Sequence, residues 1–419
     1  MPRKIWATSI ALICLAIVVG VLSPKIIISG SAAEVEPVAN RPSSDSRISN
    51  PLVQAQTEFG LKLFQILRHQ SPQKNIFISP TSIATALSMT YNGASGQTQQ
   101  EMTKALALQG MSIAQVNQLS QQLQTTLQRP DPDVTLTLAN SLWVRQGFPL
   151  HPNFVGTAEE FYHATVTPLD FSRPNAVNPI NQWVSEKTQG RIPTIIDQLK
   201  PDDMLLLINA VYFKGKWTTP FKPEQTQNQP FNLENGQVKS HPLMRQNEQY
   251  YYLETSEFQA VNIPYGQESS LSFYVFLPAA HSNLETLINQ VTPEKWQAWM
   301  QEFRRRPGVI EIPRFQLEYE VQLNDALKSL GMNAMFDRNQ ANFSQLTDEP
   351  VAVDAVKHKT FLEVNEAGTE AAATTSIGVI ATSAPPPPFQ MKVDRPFFCV
   401  IRDNHTGTLL FMGAIYNPQ

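Results

Sequence analysis

Residues 360–398 read TFLEVNEAGTEAAATTSIGVIATSAPPPPFQMKVDRPFF, and three compositions that ordinarily occur apart follow one another in them. The first piece, 360–366, is strand-like. Residues 367–384 are small and almost uncharged, with Glu370 the last acidic group and no proline, until the prolines at 385–388 stop them. Read at period two, Thr369, Ala371, Ala373, Thr375, Ile377 and Val379 fall on one face, and Glu370, Ala372, Thr374, Ser376 and Gly378 on the other. One face can be buried, and nothing after Glu370 carries a charge that would resist it, so a loop of this composition can become a strand. The same Ala, Thr, Ser and Gly content suits a flexible linker. A linker joins two foldable units, however, and only about thirty residues follow the prolines, too few for a second core. The segment is therefore read as an exposed loop that leaves a strand and returns to the same body, which is how a protein presents a site to a partner.

Working outward, the body has the composition of a large globular core: 419 residues, 42% hydrophobic and 16% charged. Helical spacing over 52–69 puts Val53, Ala55, Phe59, Leu63, Phe64 and Leu67 on one face. Ser79-Pro80-Thr81 opens a second apolar helix, and further helices are expected near Gln97 and Ile113 and over 175–188. Strands are expected at 134–144, 204–213, 260–263, 271–277, 397–402 and 408–415. Helices mainly early and strands mainly late give the α+β class. With no repeat and no second linker, one domain over 51–419 is expected, preceded by a flexible tether at 34–50.

Residues 1–33 resemble an export segment, since Arg3 and Lys4 precede an apolar run at 5–22 and a small-residue site at Ser31-Ala32-Ala33. The run is nearly long enough to span a bilayer, so two alternatives stay open: a cleaved signal peptide on a secreted or periplasmic protein, or a membrane anchor. Cysteine usage does not fix the redox compartment, because Cys14 lies in that apolar run and Cys399 reads as an inert core thiol. A net charge of -4 gives no field for nucleic acid. The basic cluster Arg304-Arg305-Arg306 is read as a solvated surface turn closed by Pro307. No G-x-S-x-G, H-E-x-x-H, C-x-x-C or phosphate-loop motif occurs, so no enzyme, catalytic residue, metal or cofactor is expected.

Four segments in order carry a family resemblance: NIFISPTSI at 75–83, NAVYFKGKW at 209–217, EAGTEAAA at 366–373 and DRPF at 394–397. With them the chain resembles the serpins, serine protease inhibitors, from about Leu52 to Pro418, and a bacterial member of the inhibitory type is expected. The resemblance implies three β-sheets, eight to nine helices, a five-stranded main sheet and an exposed reactive loop. It implies that a serine protease cuts the loop, is held as an acyl-enzyme and is carried along as the loop inserts into the main sheet. Matching places the scissile bond at Thr382-Ser383, and the loop hinge at Glu366, Gly368, Thr369, Glu370, Ala371, Ala372 and Ala373. It also implies a sheet-opening region made of Ser79, Ser82, Asn209 and His358, with Trp217 and Lys359 near the insertion point.

Ala381 and Ile380 precede Thr382, and no Arg or Lys stands between Glu370 and Lys392. An elastase-like or subtilisin-like target is therefore expected rather than a trypsin-like one, with a cysteine protease as a further possible partner. No glycosaminoglycan site is evident, because residues 113–129 carry Arg129 as their only charge; a monomer is expected. The alternative is a serpin-fold carrier, chaperone or storage protein that does not inhibit. Such members tend to carry bulky or charged hinge residues, where this chain has Thr369, Ala371, Ala372 and Ala373.

Overall fold

Asn50 starts the first described helix by accepting the Leu52 N–H on its side chain at 2.9 Å, with Pro51 in the first turn. A computed structural model describes residues 50–128, 131–200, 202–369 and 387–419. In chain order the early elements are α1 (Pro51–Gln70), β1 (Ile76–Ile78), α2 (Pro80–Tyr91), α3 (Gly96–Ala105), α4 (Ile113–Leu127), β2 (Val134–Arg145), α5 (Pro152–Tyr162), β3 (Thr165–Leu169), α6 (Val177–Lys187) and β4 (Leu205–Lys216). Then come β5 (Gln227–Asn232), β6 (Val238–Glu254), β7 (Phe258–Tyr265), β8 (Leu271–Pro278), α7 (Leu284–Asn289), α8 (Pro293–Glu302), β9 (Arg304–Pro313), β10 (Phe315–Gln322) and α9 (Asn324–Ser329). The last are β11 (Ala355–Val364), β12 (Gly368–Thr369), β13 (Phe389–Lys392), β14 (Phe397–Asp403) and β15 (Leu409–Ile415). Every helix and strand expected from the sequence is present. The export segment and tether at 1–49 lie outside the described residues, and no helix among the described residues is long and apolar enough to cross a membrane.

The main sheet runs β10-β11-β4-β2-β3, with the short β12 added on β4. Its central pair, β11 with β4, is parallel from Ala355↔Leu206 to Phe361↔Tyr212, while β4 with β2 and β11 with β10 are antiparallel. β4 is buried along nearly its whole length because both faces are covered, which explains its unbroken apolar sequence. On one face Leu206, Ile208 and Ala210 pack against Ile180 and Val184 of α6 and Ile192, Ile195 and Ile196 after it. On the other, Val211 and Phe213 meet the second strand network, and α2, buried on all sides, lies beneath the sheet.

The second network runs β1-β15-β14-β8-β7-β6-β9-β13, with β5 on β6. The three expected sheets are thus joined into two hydrogen-bonded networks, because the long β6 serves two of them. Its first part pairs with β5 and β9, and its last residues also pair with β7.

The arginine cluster is corrected here. Arg304, Arg305 and Arg306 open strand β9 opposite Tyr252, Tyr251 and Tyr250, and Pro307 continues that strand instead of ending a turn. The Arg306 guanidinium lies over the Tyr252 ring and pairs with Glu254 at 3.8 Å. Local composition favoured a turn, and a partner some fifty residues away overrode it.

Candidate functional site

The last rung of the β11–β4 ladder is Phe361↔Tyr212, and beyond it the two strands part. Into that gap the chain turns back. The Asn365 side chain accepts the N–H groups of Ala367 (3.1 Å) and Gly368 (3.2 Å), an Asx-type turn. Gly368 and Thr369 then pair antiparallel with Lys216 and Gly215 as β12. Gly368 has φ +142°, and a Cβ there would lie 2.2 Å from the Gly215 carbonyl oxygen and 2.5 Å from Lys216 Cα. Only glycine lets the backbones approach so closely. The root of the loop therefore pairs with β4 beyond the last rung that β4 shares with β11.

Trp217 forms the floor of this root. Its backbone N–H donates to Ala367 O at 3.0 Å and its indole N–H to Asn365 O at 2.9 Å, while its ring stacks on Tyr265 with centroids 4.4 Å apart. The Glu366 carboxylate accepts from Thr226 (2.8 Å) and Arg314 (3.4 Å), and its carbonyl accepts the Phe221 N–H. Arg314 is half exposed, so that ion pair contributes under about 1 kcal/mol. Arg314, just ahead of β10, is thus the basic residue at this loop root, and the sequence reading missed it. Lys359 is not part of this root: it lies mid-strand on β11, bonded to Glu318 and Glu320 of β10. Burial alone would lower the Lys359 pKa, but the two carboxylates outweigh it and hold the ammonium above its ordinary range.

Below the root, four of the expected residues come together under the closed ladder. His358 and Asn209 are register partners across β11 and β4, and Asn140 of β2 is the next partner of Asn209. The His358 Nε2 accepts the Ser79 N–H at 3.1 Å, which fixes Nδ1 as the donor to Asn209 Oδ1 at 2.5 Å. The Asn209 amide in turn donates to Ser82 Oγ (2.5 Å) and Asn140 Oδ1 (2.6 Å). Ser79 caps α2 and Ser82 sits in its first turn, so the cluster bolts both central strands to that helix. His358 is fully buried, and desolvation pushes its pKa down to about 3, so the imidazole is neutral. Asn140 was missed in the sequence, although an amide within the alternating run at 134–145 is the kind of residue strands disfavour.

Trp217, Glu366 and Gly368 are thus brought together at the root, and Ser79, Ser82, Asn209 and His358 beneath the ladder. Thr369 contributes its backbone pairing to Gly215. Glu370, Ala371, Ala372, Ala373, Thr382 and Ser383 lie outside the described residues.

The main sheet thus has a central parallel pair closed below and parted above, where the returning chain pairs with β4. The family model for serpins (serine protease inhibitors) matches residues 54–418, and the chain belongs to the serpin family. It is 34% identical over 375 residues to an uncharacterized serpin-like protein of Thermococcus kodakarensis, covering 88% of this chain and 86% of that one. It is 33% identical over 384 residues to leukocyte elastase inhibitor A of Mus musculus, covering 88% and 99%. A thermophilic serpin, tengpin, solved in its native state, superposes with a TM-score of 0.82 at 30% identity, covering 90% and 97%. These relatives give no support to the expected bacterial source, which is not borne out.

Proposed function

We propose that this serpin inhibits serine proteases once per molecule, by reactive-loop cleavage near Thr382-Ser383, acyl-enzyme trapping and insertion of the cut loop between β4 and β11. The observation that carries the reading is β12: its two residues already pair with β4 at the point where β11 diverges. The loop that follows is small, uncharged after Glu370 and free of proline up to Ala384. Insertion would replace one parallel ladder with two antiparallel ones, and antiparallel pairing is slightly more stable per residue. Serpin loops are a known case of strand addition with release of stored strain. An acyl-enzyme survives when its catalytic geometry is distorted faster than water attacks it.

An elastase-like or subtilisin-like target fits Thr382, Ala381 and Ile380, and one relative is itself named a leukocyte elastase inhibitor. The test mixes residues 34–419 with pancreatic elastase, subtilisin, trypsin and a papain-type cysteine protease, followed by denaturing gels and mass spectrometry. A complex with elastase or subtilisin that survives denaturation, with cleavage after Thr382, is expected. Cleavage there without any complex would sink the inhibitory reading in favour of a carrier or storage role.

We also propose export, on the apolar run at 5–22 behind Arg3 and Lys4. N-terminal sequencing after expression in a secreting host is expected to find a start near Glu34 in the soluble fraction. An intact N-terminus in the membrane fraction would establish an anchor instead.

A further inference from the structure

The parallel pair β11–β4 is closed at its lower end by a clasp that neither motif nor resemblance points to. Asp354, immediately before β11, accepts the backbone N–H groups of Met204 (2.6 Å) and Leu205 (3.0 Å) on one carboxylate oxygen, at the start of β4. Its backbone N–H donates to Leu205 O at 3.0 Å. Its other carboxylate oxygen accepts from Arg338 at 3.0 Å, and the same guanidinium nitrogen donates to Asp202 O at 2.8 Å. Asn324 of α9 holds the Asp354 carbonyl at 2.8 Å and the Val356 N–H at 3.0 Å. The Asp354 side chain is 13% exposed, whereas that of Arg338 is 53% exposed. One carboxylate thus ties the first residues of the two central strands directly to each other.

The register of β12 shows what this clasp would meet. Thr369 stands opposite Gly215, and each further loop residue moves one position back along β4. Continued at the same register in the proposed inserted form, Val379 would stand opposite Leu205 and Ile380 opposite Met204. A cut after Thr382 therefore releases just enough strand to reach the level of the clasp. A strand seated there doubles the β4–β11 spacing from about 4.8 Å to about 9.6 Å, beyond the reach of an aspartate carboxylate. The Asp354 bonds to β4 and the last rungs of the inserted strand are mutually exclusive.

From this we infer that Asp354, steadied by Arg338, is a positioning residue for the inhibitory reaction. It is a terminal latch that holds the native sheet shut and must be displaced for the final two rungs of insertion. The inference rests on the inhibitory reading above. A latch stabilises only the uncut form, whereas an ordinary structural contact stabilises both forms.

The experiment compares wild type, Asp354→Asn and Arg338→Gln, each uncut and after loop cleavage, by thermal melting, with stopped-flow timing of complex formation with elastase. The exposed Arg338 makes its variant safe for folding, while Asp354→Asn removes the charge that strengthens the bonds to β4. The expected result is a fall of roughly 2–5 °C in the melting temperature of the uncut variants. The cut forms should match cut wild type, and the insertion-limited step should run about tenfold faster for Asp354→Asn, as when a charge-assisted hydrogen bond is lost. An equal loss of stability in cut and uncut forms overturns the latch while leaving insertion standing. If cleavage leaves wild type no more heat-stable than before, insertion itself fails and the latch falls with it.

Discussion

Replacing His358 with alanine is expected to lower the stability of the uncut protein by about 3–5 kcal/mol. The imidazole is fully buried, and its removal leaves a cavity, orphans the Ser79 N–H and strips Asn209 Oδ1 of its donor, all under the central ladder. Urea unfolding at pH 7.5 checks the magnitude, and a loss below about 1 kcal/mol would show that the cluster does not hold the sheet. The pH dependence gives a second signature. The folded pKa is depressed to about 3, against about 6.5 unfolded. Above pH 6.5 both states are neutral and the group is silent. Between pH 6.5 and 3 the unfolded chain binds a proton that the native chain refuses, so stability falls as pH falls, by up to about 1.4 kcal/mol per unit. Going from pH 6.5 to 4.5, wild type should lose about 2–3 kcal/mol that His358→Ala does not. Parallel pH profiles for the two proteins would refute the assignment of His358 as the buried neutral group.

The second large effect is expected from Gly368→Val. The valine needs a left-handed backbone at φ +142°, and its Cβ would be driven into the Gly215 carbonyl and Lys216 Cα. Because both obstacles are backbone atoms of β4, β12 must come away from the strand. Insertion would then lack its preformed first rung, and hydrolysis of the acyl-enzyme would gain on trapping. At least tenfold more inhibitor should be consumed per protease trapped, which corresponds to about 1.4 kcal/mol in the competing barriers. Titrating elastase activity against added inhibitor measures this ratio. An unchanged ratio would mean that β12 plays no part in starting insertion.

The contrast between what was readable in the sequence and what was not has a physical pattern. The helices over 51–70 and 80–91 were legible because cap, proline and apolar spacing agree within each segment. β4 was legible as an apolar run, the second half of β11 as the strand-like piece at 360–366, and the loop as a run of small residues. Long-range pairing was not legible. The three arginines of β9 look like a surface turn until three tyrosines of β6 are set beside them. β6 itself, with its Gln, Asn and Glu, carries little apolar signal, so the sharing of one strand between two sheets was invisible. Within the site, His358 and Asn209 were reached through family resemblance. Arg314, Asn140 and Asp354 acquire meaning only from partners dozens or hundreds of residues away: Glu366, Asn209 and Leu205. Polar residues that bridge strands have no local period to betray them.

The thiol of Cys399 lies on β14, in the second network and apart from the β4–β11 pair. Burial holds its pKa far above the ordinary thiol range, and Gly413 alongside leaves room for the sulfur, since a Cβ there would come within 2.8 Å of Sγ. Cys399 is therefore chemically asleep, and what would wake it is separation of β14 from β8 and β15, not movement of β11 from β4. The molecule keeps two clocks. On the proposed mechanism one strand pair parts in the course of the reaction, while a sulfur sealed in the other network answers only when the whole body comes undone.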